Sequence, residues 1–439
     1  MKRPFPVKHL FAAALALVVV AACSGSGGGS PSPVLPISTP TPVPAASPQA
    51  SPSQAVSSAP GSTAPSSTAP ESPQASPSQV PTTLEISPTS SSSPAGSAPP
   101  QSGAPGSPAP ATPGPGGEIT LLTHDSFALS DPVLTSFEQA SGISVKVLKA
   151  GDAGQMVNQA ILSRGHPLGD VLFGVDNTFL SRALDAGIFV PYTSPNAATL
   201  PAAFQLDPGG RVTPIDYGDV CLNVDLAAFA SGNPPAPMTL ADLTRPQYKG
   251  MLVVENPATS SPGLAFMLAT VVRYGESGSY TWLDYWKDLR ANDVKVSPSW
   301  DDAYDTQFSG SAGHGDRAIV VSYASSPPAE VYFAASPPPS APTAAILDGC
   351  FRQVEFAGVL AGGSNPTGAQ AFIDFLLSPA AQEDIPLQMF VFPVVPNTPL
   401  PPVFAQYAQV PSAPLTLDPG TIEANRDRWI NEWTDAVLH

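Results

Sequence analysis

From Glu118 onward the chain alternates short apolar runs with amphipathic stretches, and this alternation constrains its fold more than any other feature. "EITLLT" opens with a run suited to a buried strand. "SDPVLTSFEQASG" then reads as a helix: Ser130 can cap it, Pro132 sits in its first turn, Val133, Leu134 and Phe137 share a face, and Gly142 ends it. "ISVKVLKA", "GQMVNQAILSRG", "DVLFGV" and "NTFLSRALDAG" repeat the strand–helix pair. Units of this spacing predict a mainly parallel sheet covered on both faces.

The pattern continues with the strand "TPIDYGDVCLNVD", a short helix in "LADLTRPQYKG", the strand "MLVVEN" and the helix "SSPGLAFMLATVVRYG". "YTWLDYWKDLRAN" is amphipathic, with Trp282, Tyr285, Trp286 and Leu289 on one stripe, most simply a packing face. Strands "DVKVS", "RAIVVSYASS" and "FRQVEFAGVL" follow, then a helix over "TGAQAFIDFLLSPAAQEDI" and a closing helix over "EANRDRWINEWTDAVL". Trp429 and Trp433 on that last helix are also assigned to packing. Roughly 320 residues is a length that usually divides into two lobes rather than one core.

Before this region the composition is different. Residues 24–117 are almost uncharged and rich in Pro, Ser, Thr and Ala, with no apolar periodicity. Such a segment cannot bury enough surface to offset its ordering entropy, and we expect a disordered stalk reaching roughly 55 Å as a coil or roughly 290 Å as extended polyproline. Residues 1–23, "MKRPFPVKHLFAAALALVVVAAC", have a basic start, an apolar run too short for a comfortable membrane span, and small residues before Cys23. That is the layout of a secretory signal. "VAAC" resembles the lipobox of bacterial lipoproteins, which implies lipidation at Cys23; an ordinary signal peptide with a chance cysteine is the alternative.

The formal net charge of −17 disfavours nucleic acid as a partner. Apart from Cys23, the cysteines are Cys221 and Cys350, an even pair in an oxidising compartment, which can be a disulfide or two buried thiols. The five histidines are scattered and no metal-ligand spacing is legible. No cofactor motif is present either.

In α/β sheets of this kind ligands bind where strand ends meet helix starts. The loops in question are "THDSF", "GVDNT", "IDYGD", "NPATSSPG", "SPSWDD" and "SYASSPP", all after strands and rich in hydroxyls, carboxylates and rings. Trp300 stands out because its large apolar ring lies between a Ser-Pro turn and the carboxylates of Asp301 and Asp302. Either it is pinned into a wall or it waits for a partner. Asp176 and Asn177 read simply as residues that begin a helix.

Taken in order, "THDSF", "GVDNT", "PIDYGD", "NPATSSPGLAF", "SWDDAY", "VVSYASSP", "QVE", "LLSPAAQ" and "FPV" resemble the thiamine-binding proteins of bacterial ABC importers. The resemblance covers nearly all of the region after the stalk. It implies an α/β, two-lobed type II periplasmic-binding-protein fold with hinge strands and no enzymatic activity. The implied divisions are a first lobe from 118 to 217, a second from 218 to 350, and a return to the first over 351–439, ending in the C-terminal helix. "IDYGDVC" and "FRQVEFAG" become the crossing strands, whose adjacency favours the Cys221–Cys350 bridge.

The resemblance also implies a ligand set. Trp300 and Tyr323 would wall the vitamin, His124 stands where the family has a Tyr, and Asp125 and Ser126 share its loop. Ser260 and Ser261 would offer hydroxyls and free N–H groups at a helix start to the hydroxyethyl end or its phosphate. Asp216 and Tyr217 come from the crossing strand, and Phe390 takes the place of a family ring. Thiamine pairs a cationic thiazolium with a flat aminopyrimidine, chemistry that aromatic faces and carboxylates suit.

The expected partners are thiamine or thiamine phosphate, an ABC permease, and the outer face of the cytoplasmic membrane through lipid; a monomer is expected. Two other readings stay open. Thiamine-cleaving enzymes share the fold and use a cysteine, which would make Cys221 a nucleophile and Glu355 its base. The same fold can also receive another small cation or a ferric ion.

Overall fold

The computed structural model describes residues 116–439. The signal segment, Cys23 and almost all of the expected stalk lie outside the described residues.

The chain forms β1 (Gly117–Thr123), α1 (Asp131–Ser141), β2 (Ile143–Lys149), α2 (Ala153–Leu162), β3 (Val171–Asp176), α3 (Leu180–Asp185) and the short β4 (Phe189–Val190). It continues with β5 (Thr213–Asp225), β6 (Leu252–Glu255), α4 (Ser261–Tyr274), α5 (Trp282–Ala291), β7 (Lys295–Ser297), β8 (Ile319–Tyr323) and α6 (Pro327–Tyr332). Last come β9 (Thr343–Leu360), α7 (Pro366–Leu376), α8 (Pro379–Gln388), β10 (Phe392–Pro393), α9 (Pro402–Tyr407) and α10 (Pro419–Val437).

The strands lie in the order β2-β1-β3-β9-β5-β8-β6-β7, with β4 beside β9 and β10 beside β5. β1 is parallel to β2 and β3, and β6 is parallel to β7 and β8. The middle is different. β3, β9, β5 and β8 pair antiparallel to one another in turn. The expectation of a mainly parallel sheet therefore holds for the two flanks and fails at the centre, where two long strands return the chain.

β5 and β9 pair over nearly their whole length, from Thr213 opposite Ala357 to Asp225 opposite Thr343. One end of β9 pairs with β3 and the other end of β5 pairs with β8, so both strands belong to each half of the sheet. Their register shifts between Val220 and Leu222, where Cys221 and Cys350 are joined by a disulfide. β9 begins eight residues before the strand legible in "FRQVEFAGVL", because the Asp-Gly pair at 348–349, with Gly349 at φ 75°, interrupts the pattern.

Several other elements depart from expectation for local reasons. The helix read over 367–385 is two: Ser378 accepts the N–H of Ala381 and Pro379 follows it, so a new helix starts there. "LADLTRPQYKG" forms two short 3-10 turns instead of a helix. Residues 302–307 wind into a turn of π-helix.

The apolar stripe of α5 faces inward as expected. Trp282, Tyr285, Trp286 and Leu289 are all at most 1% exposed. Trp286 meets Trp433 of α10 edge-on at 5.4 Å, and its Nε1 donates to Thr270 Oγ1 at 2.9 Å. Burying each such side chain contributes about 1.5–3 kcal/mol, which fixes α5 and α10 against the β6–β8 half. Among the described residues no helix is long and apolar enough to cross a membrane.

Candidate functional site

The two halves of the sheet meet over a cleft of about 480 Å³, counting the part open to solvent. Trp300 and Tyr323 wall it from the β6–β8 half, while His124, Ser126 and Asp152 face them from the β1–β3 half. Glu355 of β9 lies between, with Ser261 and Pro262 at the start of α4 and Met389 and Val391 before β10.

The indole of Trp300 is held in place by the protein and also lines the cleft. Its ring stacks on Tyr304 with centroids 5.0 Å apart and planes 14° from parallel. Nε1 donates to Ser322 Oγ at 3.0 Å, and the backbone N–H donates to Asp152 Oδ2 at 2.9 Å. Both readings of its sequence setting are therefore partly met: the ring is pinned, and it still faces an open space. Tyr323, tilted 60° from Trp300 at 6.5 Å, donates its hydroxyl to Gln353 Oε1 at 2.9 Å. Gly218 makes room for that phenol, since a Cβ there would come within 2.7 Å of Tyr323 Cδ1.

Carboxyl groups gather below these rings. Glu355 is the register partner of Asp176 on β3 and of Asp216 on β5. Burial pushes Asp176 up to about 7, against the hydroxyls of Ser261 and Thr178 that favour its charged form. Burial also raises Asp216 well above the usual carboxylate range, and the adjacent Glu355 adds to the effect. Asp152, the N-cap of α2, is raised by burial although Trp300 and Ala153 donate to it. Glu255 at the end of β6 is fully buried with neither oxygen hydrogen-bonded, and burial keeps it well above its ordinary value.

His124 is the neighbouring group that carries an opposing charge when protonated. Its Nε2 lies 3.7 Å from Glu355 Oε2. Burial alone would lower its pKa, yet Glu355 together with Asp152 and Asp301 raises it. The ring fits because Gly174 on β3 has no side chain: a Cβ there would stand 2.2 Å from His124 Cδ2.

The residues singled out in the sequence do not all converge. His124, Ser126, Ser261, Trp300 and Tyr323 line the cleft. Ser126 donates to Asp301 Oδ1 at 2.7 Å, joining the two sides. Ser260 is fully buried beneath them, capping α4 by accepting the Gly263 N–H. Asp216 sits beside Glu355 rather than at the surface of the cleft.

Three others are elsewhere. Asp125 is exposed and uses Oδ1 to accept the Gly151 N–H. Tyr217 points to the opposite face, stacked on Phe392 at 5.4 Å with the Arg352 guanidinium 5.0 Å from its ring. Phe390, at φ 56°, packs on Phe333 at 5.5 Å and Tyr332 at 6.2 Å, outside the lining.

Asp152 and Tyr304 were missed. Asp152 follows a strand and precedes a helix in "KAGDAG", which is the positional signal that marked the other loops. Tyr304 follows Trp300 by four residues, and only the helical winding of that segment stacks the two rings. Asp176 does more than begin a helix, because the register sets it against Glu355.

The chemistry open to this arrangement is recognition. A flat cation can lie against Trp300 and Tyr323 while carboxyl groups beneath take up its charge. The reading of Cys221 as a nucleophile is corrected: its sulfur is bonded to Cys350 and is 2% exposed, so it has no thiolate to offer. Among the described residues no three His, Cys, Asp or Glu side chains are placed to hold a metal ion.

Known proteins share this organisation. The thiamine-binding periplasmic protein of Escherichia coli (strain K12) is 29% identical over 324 residues, covering 73% of this chain and 93% of its own length. A solved structure named as a periplasmic thiamin binding protein superposes with a TM-score of 0.63 at 27% identity, over 73% of this chain and 96% of that one. Iron uptake protein A2 of Synechocystis sp. is 29% identical over 280 residues, or 60% of this chain and 76% of its own. The long antiparallel strands β5 and β9 between two parallel flanks are thus those of the type II periplasmic-binding-protein fold. The family model for bacterial extracellular solute-binding proteins matches residues 166–412, from just before β3 to just past α9, and the chain belongs to that family.

Proposed function

We propose that this protein is an extracytoplasmic receptor that binds thiamine or its phosphate ester in the cleft and delivers it to an ABC permease. The observation that carries the reading is the placement of Trp300, stacked on Tyr304 and lining a cleft whose floor is Glu355. A permanently cationic, flat ligand gains from both surfaces at once. Each aromatic face contributes roughly 0.5–2 kcal/mol toward a cation, more where water is excluded.

In this reading the lobes are 118–217 with 351–439 and 218–350, so both divisions fall within β5 and β9. Ser126–Asp301 and Asp152–Trp300 span the cleft and support a closed form. Ligand shifts the balance toward closure only by its differential affinity for the two forms. Lipid at Cys23 and a stalk over 24–117 would keep the receptor near its permease, as a monomer on the outer face of the cytoplasmic membrane.

Titration calorimetry of the purified protein with thiamine, with mass spectrometry of the recovered ligand, tests the reading. One-to-one binding with thiamine recovered intact is the expected result. Cleaved product would overturn the receptor reading, and binding of ferric ion in preference to thiamine would favour the metal receptor that the iron-uptake relative suggests.

A further inference from the structure

β3, β9 and β5 lie side by side below the cleft, with Asp176 opposite Glu355 and Glu355 opposite Asp216. Directly opposed residues on neighbouring strands project from the same face. Three carboxyl groups therefore stand in a row across three strands. Asp176 and Asp216 are fully buried, and Glu355 of the three lines the cleft.

The hydrogen bonding of the row is incomplete without protons. Neither oxygen of Asp216 has a hydrogen-bond partner among the described residues, and Glu355 is its register partner on β9. Burial first, and Glu355 beside it, both favour the protonated form of Asp216, which then has a proton to donate. Thr178 donates to Asp176 at 2.9 and 3.0 Å, which satisfies part of that group alone.

The surroundings add more acid. Tyr323 faces the row from the end of β8, Asp152 at the cap of α2 and Asp301 in the loop after β7 lie near His124, and Glu255 lies beyond Asp152. Of these groups only His124, 3.7 Å from Glu355, can become positive.

We propose that the Asp176–Glu355–Asp216 row is a proton-for-cation exchanger, holding protons while the cleft is empty and releasing about one to solvent when a monocationic ligand settles over Glu355. This rests on the reading of the cleft as a thiamine site and adds the charge class it selects and the protons it gives up. A ligand cation does what the protons did, so the two compete. A neutral ligand of the same shape gains nothing from the exchange. Neighbouring strands stand ~4.8 Å apart, a spacing that suits a diffuse organic charge above the row better than a small ion chelated within it.

Asp176, at about 7, places the exchange in the range where proteins are ordinarily handled. Below that pH each displaced proton weakens the apparent affinity about tenfold per unit.

Calorimetry of the full chain with thiamine at pH 6, in buffers of different ionisation heat, gives the number of protons released. About one per ligand is expected, falling toward zero by about pH 8.5, with Kd weakening about tenfold per unit from pH 7 to 5. Asp216→Asn should cut the release by half or more, and His124→Gln separates the row's share from the imidazole's. Binding whose heat ignores the buffer and whose Kd is flat with pH overturns the exchange. Infrared spectra of the ligand-free protein at pH 6 give an independent check: a protonated carboxyl band that Asp216→Asn diminishes supports the row, and its absence overturns it. Failure of thiamine to bind at any pH would overturn the thiamine reading, and the infrared band alone would then decide the row.

Discussion

Asp152 Oδ2 accepts the backbone N–H of Trp300 at 2.9 Å, while its Oδ1 accepts the N–H of Ala153 at 2.6 Å. One carboxylate thus begins α2 and holds the loop that presents the cleft's indole. Losing a cap costs about 1 kcal/mol, and leaving a buried N–H unpaired costs about as much again. Asp152→Ala should lower unfolding stability in urea by about 2 kcal/mol and quench the ordered environment of Trp300. Asp152→Asn, which keeps an acceptor, should lose less than half of that. A stability for the alanine variant within ~0.5 kcal/mol of the parent would mean the bond across the cleft contributes nothing.

Trp300→Ala removes the ring that lies against Tyr304 and closes one wall of the cleft. Thiamine affinity should fall roughly 10- to 100-fold, the range of a desolvated cation–aromatic contact with its stacking area. Trp300→Phe keeps a flat face and loses the bond to Ser322, so it should stand between the two. Calorimetry on the three proteins checks the order, and equal affinities would put the ligand elsewhere.

How much of this could be read in advance depends on the kind of signal. Helix α1 was plain because Pro132 in its first turn and Gly142, left-handed at its C-cap, mark the two ends locally, although Ser130 at the N-cap makes no side-chain cap bond. The packing role of Trp282 and Trp286 was plain because their spacing alone sets the face. Trp300, Tyr323, His124, Ser126 and Ser261 sit on strand-end loops, which position in the chain order reveals. The carboxyl row was not legible. Asp176, Asp216 and Glu355 are far apart in sequence and meet only through a register that no local pattern encodes. Asp125 misled for the opposite reason: its loop is right, but adjacent residues of a turn point in different directions, and His124 and Ser126 took the cleft.

The disulfide joins residues 129 positions apart on β5 and β9. Closing so long a loop removes much freedom from the unfolded chain, typically about 2–5 kcal/mol. Reduction, or the double variant Cys221→Ser with Cys350→Ser, should lower stability by about that amount while leaving thiamine binding one-to-one, since neither sulfur lines the cleft. Thiol reagents should label the native protein only after reduction. An unchanged urea midpoint after reduction would show that the bridge is absent in solution.

Gly174 has φ 99° and a Cβ there would meet His124 Cδ2 at 2.2 Å. Gly174→Ala therefore combines a strained backbone with displacement of the imidazole. A loss of about 1–3 kcal/mol is expected, with His124 moved off Glu355, so the proton released on binding should change as well. Gly165→Ala, in open space without a positive φ, is the control and should be nearly neutral. If both variants unfold at the same denaturant concentration, the close approach of β3 to the ring is not a constraint.

Ligand-free stability should rise on acidification from about pH 7 toward 4, the reverse of a protein held by exposed ion pairs. Burial raises Asp176 from 3.8 to about 7 and Glu330 from 4.5 to about 7, the latter against the bond that Tyr304 donates to it. His124 is raised too, because Glu355 and its neighbours outweigh its burial. In this window the native state binds more protons than the unfolded chain. Stability from these groups is therefore present at the acid end and lost as the pH climbs through their folded pKa values. Asp207 and Asp242 are shifted downward, by Arg211 and by the Met238 and Thr239 donors despite partial burial, and weaken the fold only on further acidification below their ordinary range. Urea midpoints between pH 5 and 7.5 check the sign, and Asp176→Asn should flatten the slope. Saturating thiamine should flatten it, because the bound cation favours the deprotonated row while Glu330 still takes up its proton on folding. A midpoint that falls on acidification in the ligand-free protein would mean the carboxyl groups are ionised in the fold.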